Sequence, residues 1–255
     1  MIRPKKALGQ NFLNDESVAQ ALVSAGEVTK ADLVLEVGAG AGFVTRVLAP
    51  QAGKVLAVEF DRDLMTPLEN TIKGFKNVEV VAGDILKTNI GAYFAKSEKF
   101  ESFKIIGSIP YQITSPLIHK IMKTPLWSVA ALLIQKEVAE KICAQPPQAT
   151  YLSNLTATFA KTGIVKDVPK TAFSPSPQVD GAIIKVVRDS NISKRQNIRA
   201  VPFANFLHKG FAHPRKMLRN VFTETQLESA GVAPTARAQE LTLKNWLTLY
   251  RRVES

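Results

Sequence analysis

Apolar residues in this chain come in short unbroken runs at first and at helical spacing towards the end. Leu33-Val34-Leu35-Glu36-Val37, Lys54-Val55-Leu56-Ala57-Val58, Val78-Glu79-Val80-Val81 and Phe103-Lys104-Ile105-Ile106 are mostly aliphatic, and turn residues or carboxylates follow. Runs of that length read as strands of a parallel sheet, covered on both faces by crossover helices. The pattern continues with strands near 103–107 and 129–134, a helix from Ser115 to Met122 between them, and an edge hairpin near 161–168 and 181–187. Later the period changes. Phe203, Phe206, Leu207 and Phe211 recur at helical spacing, and Met217, Leu218, Val221 and Phe222 continue after Pro214. The polar stretch Arg188-Asp189-Ser190-Asn191-Ile192-Ser193 lacks periodicity and reads as a linker. The expectation is a doubly wound α/β domain over residues 1–188 and a small helical domain over 189–255.

Open α/β sheets bind ligands at the carboxyl ends of their strands, and the informative residues sit there. The first strand runs into Gly38-Ala39-Gly40-Ala41-Gly42, where missing side chains let the backbone approach a ligand. The dinucleotide fingerprint would put its third glycine where Phe43 stands, which argues against a nicotinamide oxidoreductase. The second strand ends in Glu59, a carboxylate suited to accept from both hydroxyls of a ribose; Phe60 follows it. The third is followed by Gly83-Asp84-Ile85, whose acid could accept from an adenine amine. Each acid alone reads as a solvated loop residue. Their recurrence after successive strands points to one nucleoside, and the ligand implied is S-adenosyl-L-methionine.

After the fourth strand comes Gly107-Ser108-Ile109-Pro110-Tyr111-Gln112-Ile113-Thr114. The lone pair of an exocyclic amine on a nucleobase is delocalised into the ring, so the amine is a poor nucleophile until it is held in place. The Ser108 hydroxyl and the Ile109 carbonyl are two acceptors that could hold its hydrogens. Tyr111 can stack on the base, a contact worth about 1–3 kcal/mol, and Pro110 fixes φ between them. Taken alone, the tetrapeptide is equally an ordinary strand-to-helix turn with a core tyrosine.

Together these residues carry a family resemblance that runs nearly end to end. The motifs are Leu8-Gly9-Gln10-Asn11-Phe12-Leu13, the glycine loop, Glu59-Phe60-Asp61, Gly83-Asp84, the Pro110-Tyr111 turn, Gln135-Lys136-Glu137-Val138-Ala139, Phe173 to Asp180, and Arg215-Lys216-Met217-Leu218-Arg219-Asn220. The chain resembles the ribosomal RNA adenine dimethyltransferases, a group that includes the bacterial small-subunit enzyme whose loss confers kasugamycin resistance. The resemblance implies a Rossmann-like, class I S-adenosylmethionine-dependent methyltransferase fold with a small C-terminal helical domain. It implies dimethylation of two adjacent adenines near the 3′ end of small-subunit ribosomal RNA. Asn11 and Leu13 would close over the cofactor, Gly38 and Gly40 approach its methionine part, Glu59 hold the ribose, and Asp84 with Ile85 bind the adenine. Phe60 and Ser108 join the cofactor set. Ser108, Ile109, Pro110 and Tyr111 form the catalytic turn, with Phe173 a second stacking surface opposite Tyr111. Ser108 stands where the family usually has asparagine; a hydroxyl offers lone pairs as an amide carbonyl does. A second departure, Thr150-Tyr151-Leu152-Ser153 in place of the more usual Tyr-Gly before Leu-Ser, points to an altered target-side loop. Two rivals remain within reach of these residues: the related large-subunit adenine methyltransferase of macrolide resistance, and a non-catalytic ribosome-assembly factor, for which Ser108 is the best support.

Charge sharpens this picture. The chain has 255 residues and a net charge of +11, with an isoelectric point near 9.7, which suits a polyanionic partner. The excess is concentrated late, since residues 191–255 carry 11 Lys and Arg against 4 Asp and Glu. Arg215, Lys216 and Arg219 fall near one face of the expected helix, and by resemblance that face contributes to the RNA surface. Met1-Ile2-Arg3-Pro4-Lys5-Lys6 is a short basic arm able to touch phosphate or to fray, without the apolar core of a signal peptide behind it. A single cysteine, Cys143, excludes an internal disulfide and fits a reducing compartment. His119, His208 and His213 lack metal-ligand spacing, so a metal is not expected. No run approaches the roughly 20 apolar residues of a membrane span. The overall expectation is a cytoplasmic monomer acting on small-subunit ribosomal RNA within a pre-ribosomal particle.

Overall fold

A computed structural model of the chain describes residues 4–95, 100–189 and 198–253. Its centre is a seven-stranded sheet. The strands are β2 (Leu33–Val37), β3 (Lys54–Glu59), β4 (Val78–Ala82), β5 (Phe103–Ser108), β6 (Trp127–Gln135), β7 (Ala160–Val168) and β9 (Gly181–Arg188), in the order β4-β3-β2-β5-β6-β9-β7. A separate two-stranded ribbon pairs β1 (Phe12–Leu13) with β8 (Phe173–Ser174). β2 is parallel to both β3 and β5, β4 extends the parallel run beyond β3, and β6 extends it beyond β5. The chain therefore reverses its direction of winding at β2, which opens a crevice at the carboxyl ends of β2 and β5. β9 is antiparallel to β6. The expected hairpin is present with β9 inside and β7 at the edge.

Burial follows the strand period of two. Val34, Val55, Ile106, Ala131, Leu133 and Ile183 form one cluster with Val18, Ala19, Leu22 and Val23 of α1 (Glu16–Ala25). The alternate positions Leu33, Leu35 and Ile105 are equally buried, as are Leu117, Ile118 and Ile121 of α5 (Thr114–Lys123). Burying each of the Val, Leu and Ile side chains among them contributes roughly 1.5–3 kcal/mol. α1 starts where Asp15 accepts from the backbone N–H groups of Ser17 and Val18 at 2.9 and 3.3 Å, a cap worth about 1 kcal/mol. The remaining helices of this part are α2 (Thr45–Leu48), α3 (Met65–Ile72), α4 (Ile90–Ala95) and α6 (Lys136–Cys143).

The chain divides into two compact units. The first takes the described residues up to Ala139 together with Gly163–Arg188; the second takes Glu140–Thr162 and the described residues from Asp189 onward. The expected boundary at 188/189 is thus one of three crossings, and 140–162 belong with the helical part. The physical reason is that α7 (Tyr151–Ala157) packs on α8 (Ala200–Phe211), with the Tyr151 and His208 rings edge to face at 5.8 Å. Thr150-Tyr151-Leu152-Ser153, expected as an altered loop, is the start of α7, closed by a reciprocal capping box between Thr150 and Ser153. Of the linker, Ser190 to Ser193 lie outside the described residues.

Aromatic rings build the core of the second unit. Phe203 and Phe206 of α8 meet Tyr250 of α10 (Leu243–Val253), each at 5.2 Å. Phe206 meets Trp246 edge to face at 6.2 Å. Gly210 has a packing reason: a Cβ there would stand 2.3 Å from the Trp246 ring. The stretch after Pro214 is not the continued helix that its spacing predicts. Leu218–Asn220 form a single 3-10 turn before α9 (Glu224–Ser229), and Leu218 and Phe222 point inward from it. No described helix is long and apolar enough to cross a membrane.

Candidate active site

The glycine loop shapes the floor of the crevice. Gly38, Gly40 and Gly42 all adopt positive φ, at 72°, 60° and 90°, a region that side chains other than glycine rarely enter. At Gly38 a Cβ would stand 3.4 Å from the Ser108 carbonyl oxygen, an ordinary contact, so it is the positive φ and not crowding that calls for glycine there. The Gly38 and Ala39 amides donate to the Val58 carbonyl at 2.9 and 3.2 Å, which pins the loop to the end of β3.

Glu59 stands at that end and is 7% exposed. One carboxylate oxygen accepts from the Gly40 amide at 2.7 Å and the other from the Asp61 amide at 2.7 Å. Each oxygen keeps a second lone pair, so the backbone orients the group without using up its capacity. Phe60 beside it is 57% exposed, an unusual state for a large apolar ring, and it forms part of the cavity wall. The Asp84 carboxylate accepts from the Leu86 amide at 2.9 Å, and Ile85 is buried next to it.

The catalytic-type turn follows β5. Pro110 has φ −55° and opens a 3-10 turn at Tyr111–Ile113, and the Ile109 amide donates to the Leu133 carbonyl at 2.9 Å. Neither the Ser108 hydroxyl nor the Ile109 carbonyl is taken up by another described residue. Burial pushes the Tyr111 phenol above its usual range, with the charge of Asp180 adding to the effect, so the ring stays protonated and neutral at physiological pH. Its hydroxyl is buried without a partner among the described residues.

One cavity of about 740 Å³ collects all of this. Its lining includes every residue expected at the catalytic and cofactor positions, with Asn11 and Leu13 from β1 and its approach, and Phe173 from β8. Phe173 is itself 6% exposed and belongs to the core cluster as well as to the cavity wall. Ile164 is an exposed residue within edge strand β7 and does not line the cavity.

Three features escaped the sequence reading. Phe12 lies against Gly40, 3.8 Å from where a Cβ would be. Asp61, 5% exposed, takes hydrogen bonds from Lys5 Nζ at 2.5 Å and Gln10 Nε2 at 2.7 Å. Burial alone would raise the carboxyl of Asp61, yet these donors hold it below the usual carboxylate range. Lys5 is therefore anchored rather than part of a free arm, while Met1 to Arg3 lie outside the described residues. The third is Glu36, 1% exposed within β2, with neither oxygen hydrogen-bonded among the described residues. Burial raises its pKa to about 8; the neighbouring Thr45 hydroxyl opposes the shift and the charge of Glu59 adds to it. An acid inside an apolar strand is the one signal the sequence held for this group.

In the second unit, Arg215 and Lys216 sit on the turn after α8 and Arg219 on the 3-10 turn, all exposed. They are not on one helix face, because the chain leaves helical geometry after Phe211.

A parallel sheet reversed at its centre, a glycine loop after the first strand of the reversal and acids after the next two define a Rossmann-like class I methyltransferase fold that uses S-adenosylmethionine. The cavity fits that cofactor, with a carboxylate oriented by two backbone amides, an exposed ring beside it, and a loop of glycine and alanine. A sequence profile of the ribosomal RNA adenine dimethylase family matches residues 1–255, and the chain belongs to that family. It is 35% identical over 269 residues to a ribosomal RNA small subunit methyltransferase A of Levilactobacillus brevis, covering 96% of this chain and 88% of the relative. It is 32% identical over 272 residues to the protein of that name in Rippkaea orientalis, covering 100% and 99%. Among solved structures it is similar to a dimethyladenosine transferase from Plasmodium falciparum, with a TM-score of 0.77, 26% identity and coverage of 93% and 95%. It is also similar to the 23S rRNA methyltransferase ErmE, with a TM-score of 0.74, 25% identity and coverage of 96% and 100%.

Proposed function

We propose that this chain dimethylates the exocyclic amine of adenine in small-subunit ribosomal RNA, at two adjacent adenines near the 3′ end. The observation that carries the reading is the cavity that Ser108, Ile109, Pro110 and Tyr111 line together with Glu59, Asp84 and the glycine loop. The curated relatives at 31–35% identity bear the small-subunit name, which favours that RNA over the large-subunit one.

When bound, S-adenosylmethionine supplies an electrophilic methyl carbon on its sulfonium. Gly38 and Gly40 approach its methionine part, Glu59 accepts from the ribose, Asp84 and Ile85 hold the adenine, and Asn11, Leu13 and Phe60 close the walls. The Ser108 and Ile109 oxygens accept the two amine hydrogens of the target base and so direct its lone pair into the cavity. Tyr111 stacks on the base from one side and Phe173 borders the other. The amine proton leaves to water once its nitrogen carries extra charge, so the chain needs no dedicated base. A base can enter such a cavity only when unstacked, which costs a few kcal/mol and less in a loop than in a duplex. Arg215, Lys216 and Arg219 bind phosphates of the same RNA. On this reading the first unit is the catalytic methyltransferase domain and the second the RNA-binding one, and the enzyme acts as a cytoplasmic monomer on a pre-ribosomal particle.

Mass spectrometry of ribosomal RNA from cells with and without the gene tests the proposal. Loss of dimethyladenosine from small-subunit RNA is the expected result. Unchanged small-subunit RNA, or loss confined to large-subunit RNA, would overturn it.

A further inference from the structure

The cavity has a roof made by the start of the chain. Pro4 and the run from Leu8 to Leu13 line it, and this segment is held at its two ends by different physics. At the far end Phe12 and Leu13 pair with Ser174 and Phe173, the Asn14 amide donates to the Ala172 carbonyl at 2.9 Å, and Leu13 is buried in the main core. At the near end the attachment is polar. Lys5 Nζ reaches Asp61 Oδ1 at 2.5 Å and Asp63 Oδ2 at 2.7 Å. Gln10 Nε2 donates to Asp61 Oδ2 at 2.7 Å, and the Lys5 amide donates to Gln10 Oε1 at 2.8 Å. Of the side chains at this junction, Asp61 is the buried one, at 5% exposed against 42% for Lys5 and 77% for Asp63.

Asp61 is also tied to the cofactor side of the cavity, because its own amide donates to Glu59 Oε1. A single residue therefore fastens the roof through its side chain and orients the ribose-type acid through its backbone. The apolar end cannot leave without exposing Leu13 and Phe173. The polar end can exchange its partners for water, and one of those partners is a half-exposed ammonium sensitive to salt.

We propose that Asp61 is a positioning residue that latches the Lys5–Leu13 segment over the cofactor, so that the dwell time of S-adenosylmethionine and of its demethylated product is set by release of Lys5 and Gln10 from Asp61. The inference rests on the cofactor reading given above. Opening is a hinge about β1–β8, and product release waits on it.

Dissociation of S-adenosylhomocysteine from the full chain, followed by stopped flow, tests this. Asp61→Asn keeps the backbone bond to Glu59 and should speed release at least tenfold. Lys5→Met changes a side chain that is 42% exposed, leaves the fold intact, and should speed release about fivefold. In the double variant the two effects should fall well short of multiplying, since both remove one junction. Raising salt from about 50 to 500 mM should accelerate release from the natural chain and leave Lys5→Met nearly unaffected. Amide exchange should quicken at residues 8–11 and stay unchanged at the β1 hinge and in α1. Release rates that are the same in the natural chain and in Lys5→Met, at low salt, would overturn the latch while leaving the cofactor reading standing. Failure of the natural chain to bind S-adenosylhomocysteine would overturn the cofactor reading itself.

Discussion

The cavity wall and the basic turn at 214–219 are built on opposite principles. In the wall, backbone groups fix the chemistry: Glu59 is held by two amides at 2.7 Å, and the glycine loop is held by its φ angles and the Val58 carbonyl. In the turn the backbone is equally ordered, with the Lys216 amide on the His213 carbonyl at 2.9 Å and Asn220 Nδ2 on the Met217 carbonyl at 3.0 Å, but the charged ends of Arg215, Lys216 and Arg219 stand in water. A small nucleoside offers few groups and must be met by directed acceptors already in place. A phosphate chain offers repeated charge and asks only for cations near it, at a strength that salt can tune. Removing a wall residue should therefore give large, local losses, and removing a turn residue small, delocalised ones.

The largest effect sits just behind the wall. Glu36 is buried without a hydrogen bond among the described residues, and burial raises its pKa from 4.5 to about 8. Folding therefore takes up a proton between those two pH values, so stability should fall as pH rises through that window and be unaffected by this group below it. At 1.36 kcal/mol per unit the full loss is about 5 kcal/mol by pH 8. Glu36→Gln removes the titration. Urea unfolding of the two proteins should show a stability gap that grows in favour of the glutamine variant from pH 5 to pH 8. A gap independent of pH would mean that the carboxyl is ionised in the folded state.

Glu59→Ala comes next. It deletes the carboxylate proposed to accept from the ribose and also leaves the Gly40 and Asp61 amides without their partner, so the expected loss combines a binding contact with a disturbed loop. Cofactor affinity should fall about 100-fold, or roughly 3 kcal/mol. Calorimetry with S-adenosylhomocysteine measures it, and RNA affinity should hold. Equal losses for cofactor and RNA would erase the contrast between wall and turn.

How much of this the sequence carried depends on the range of the interaction. Strand ends were legible because parallel strands appear as apolar runs, and because a loop free of side chains must be written in glycine. Gly38 and Glu59 follow directly on a run of that kind, and Asp84 and Ser108 follow within three residues of one. Asp61 was visible only as part of a motif, since its partners Lys5 and Gln10 lie 56 and 51 residues away and nothing local announces the pairing. Glu36 announced itself only as an acid in an apolar strand; its full burial beside Thr45 of α2 is a tertiary property that the local sequence does not carry. The turn at 214–219 was misread because Leu218 and Phe222 are four residues apart, a spacing that a 3-10 turn followed by Val221 at φ −121° and ψ −38° satisfies as well as an α-helix does. Residues 140–162 joined the helical unit through Tyr151 and α8, a contact between segments about 50 residues apart that no local pattern encodes.

On the turn, alanine at both Arg215 and Lys216 removes two exposed cations. RNA affinity should fall about tenfold at low salt, and the slope of log affinity against log salt should shrink by about 1.5, at 0.7–0.9 per lost phosphate contact. Cofactor affinity should not change. Filter binding across a salt series reads both quantities, and an unaltered slope would move the phosphate contacts to other basic residues.

The smallest expected effect is at the wall's own departure from its family. Ser108 closes β5 beside Leu133 and offers one hydroxyl where asparagine usually offers an amide oxygen. Asparagine would restore the longer acceptor, and the Ile109 carbonyl, fixed by the Ile109 amide on Leu133, would remain the partner acceptor. Methyl transfer to small-subunit particles by Ser108→Asn should therefore equal or exceed that of the natural chain. A fall beyond tenfold, about 1.4 kcal/mol in the barrier, would mean that the surrounding wall has been shaped to the shorter side chain. Single-turnover kinetics separate that outcome from a change in binding, because a base held too far from its acceptors loses rate at saturating RNA, whereas a base that no longer fits loses affinity first.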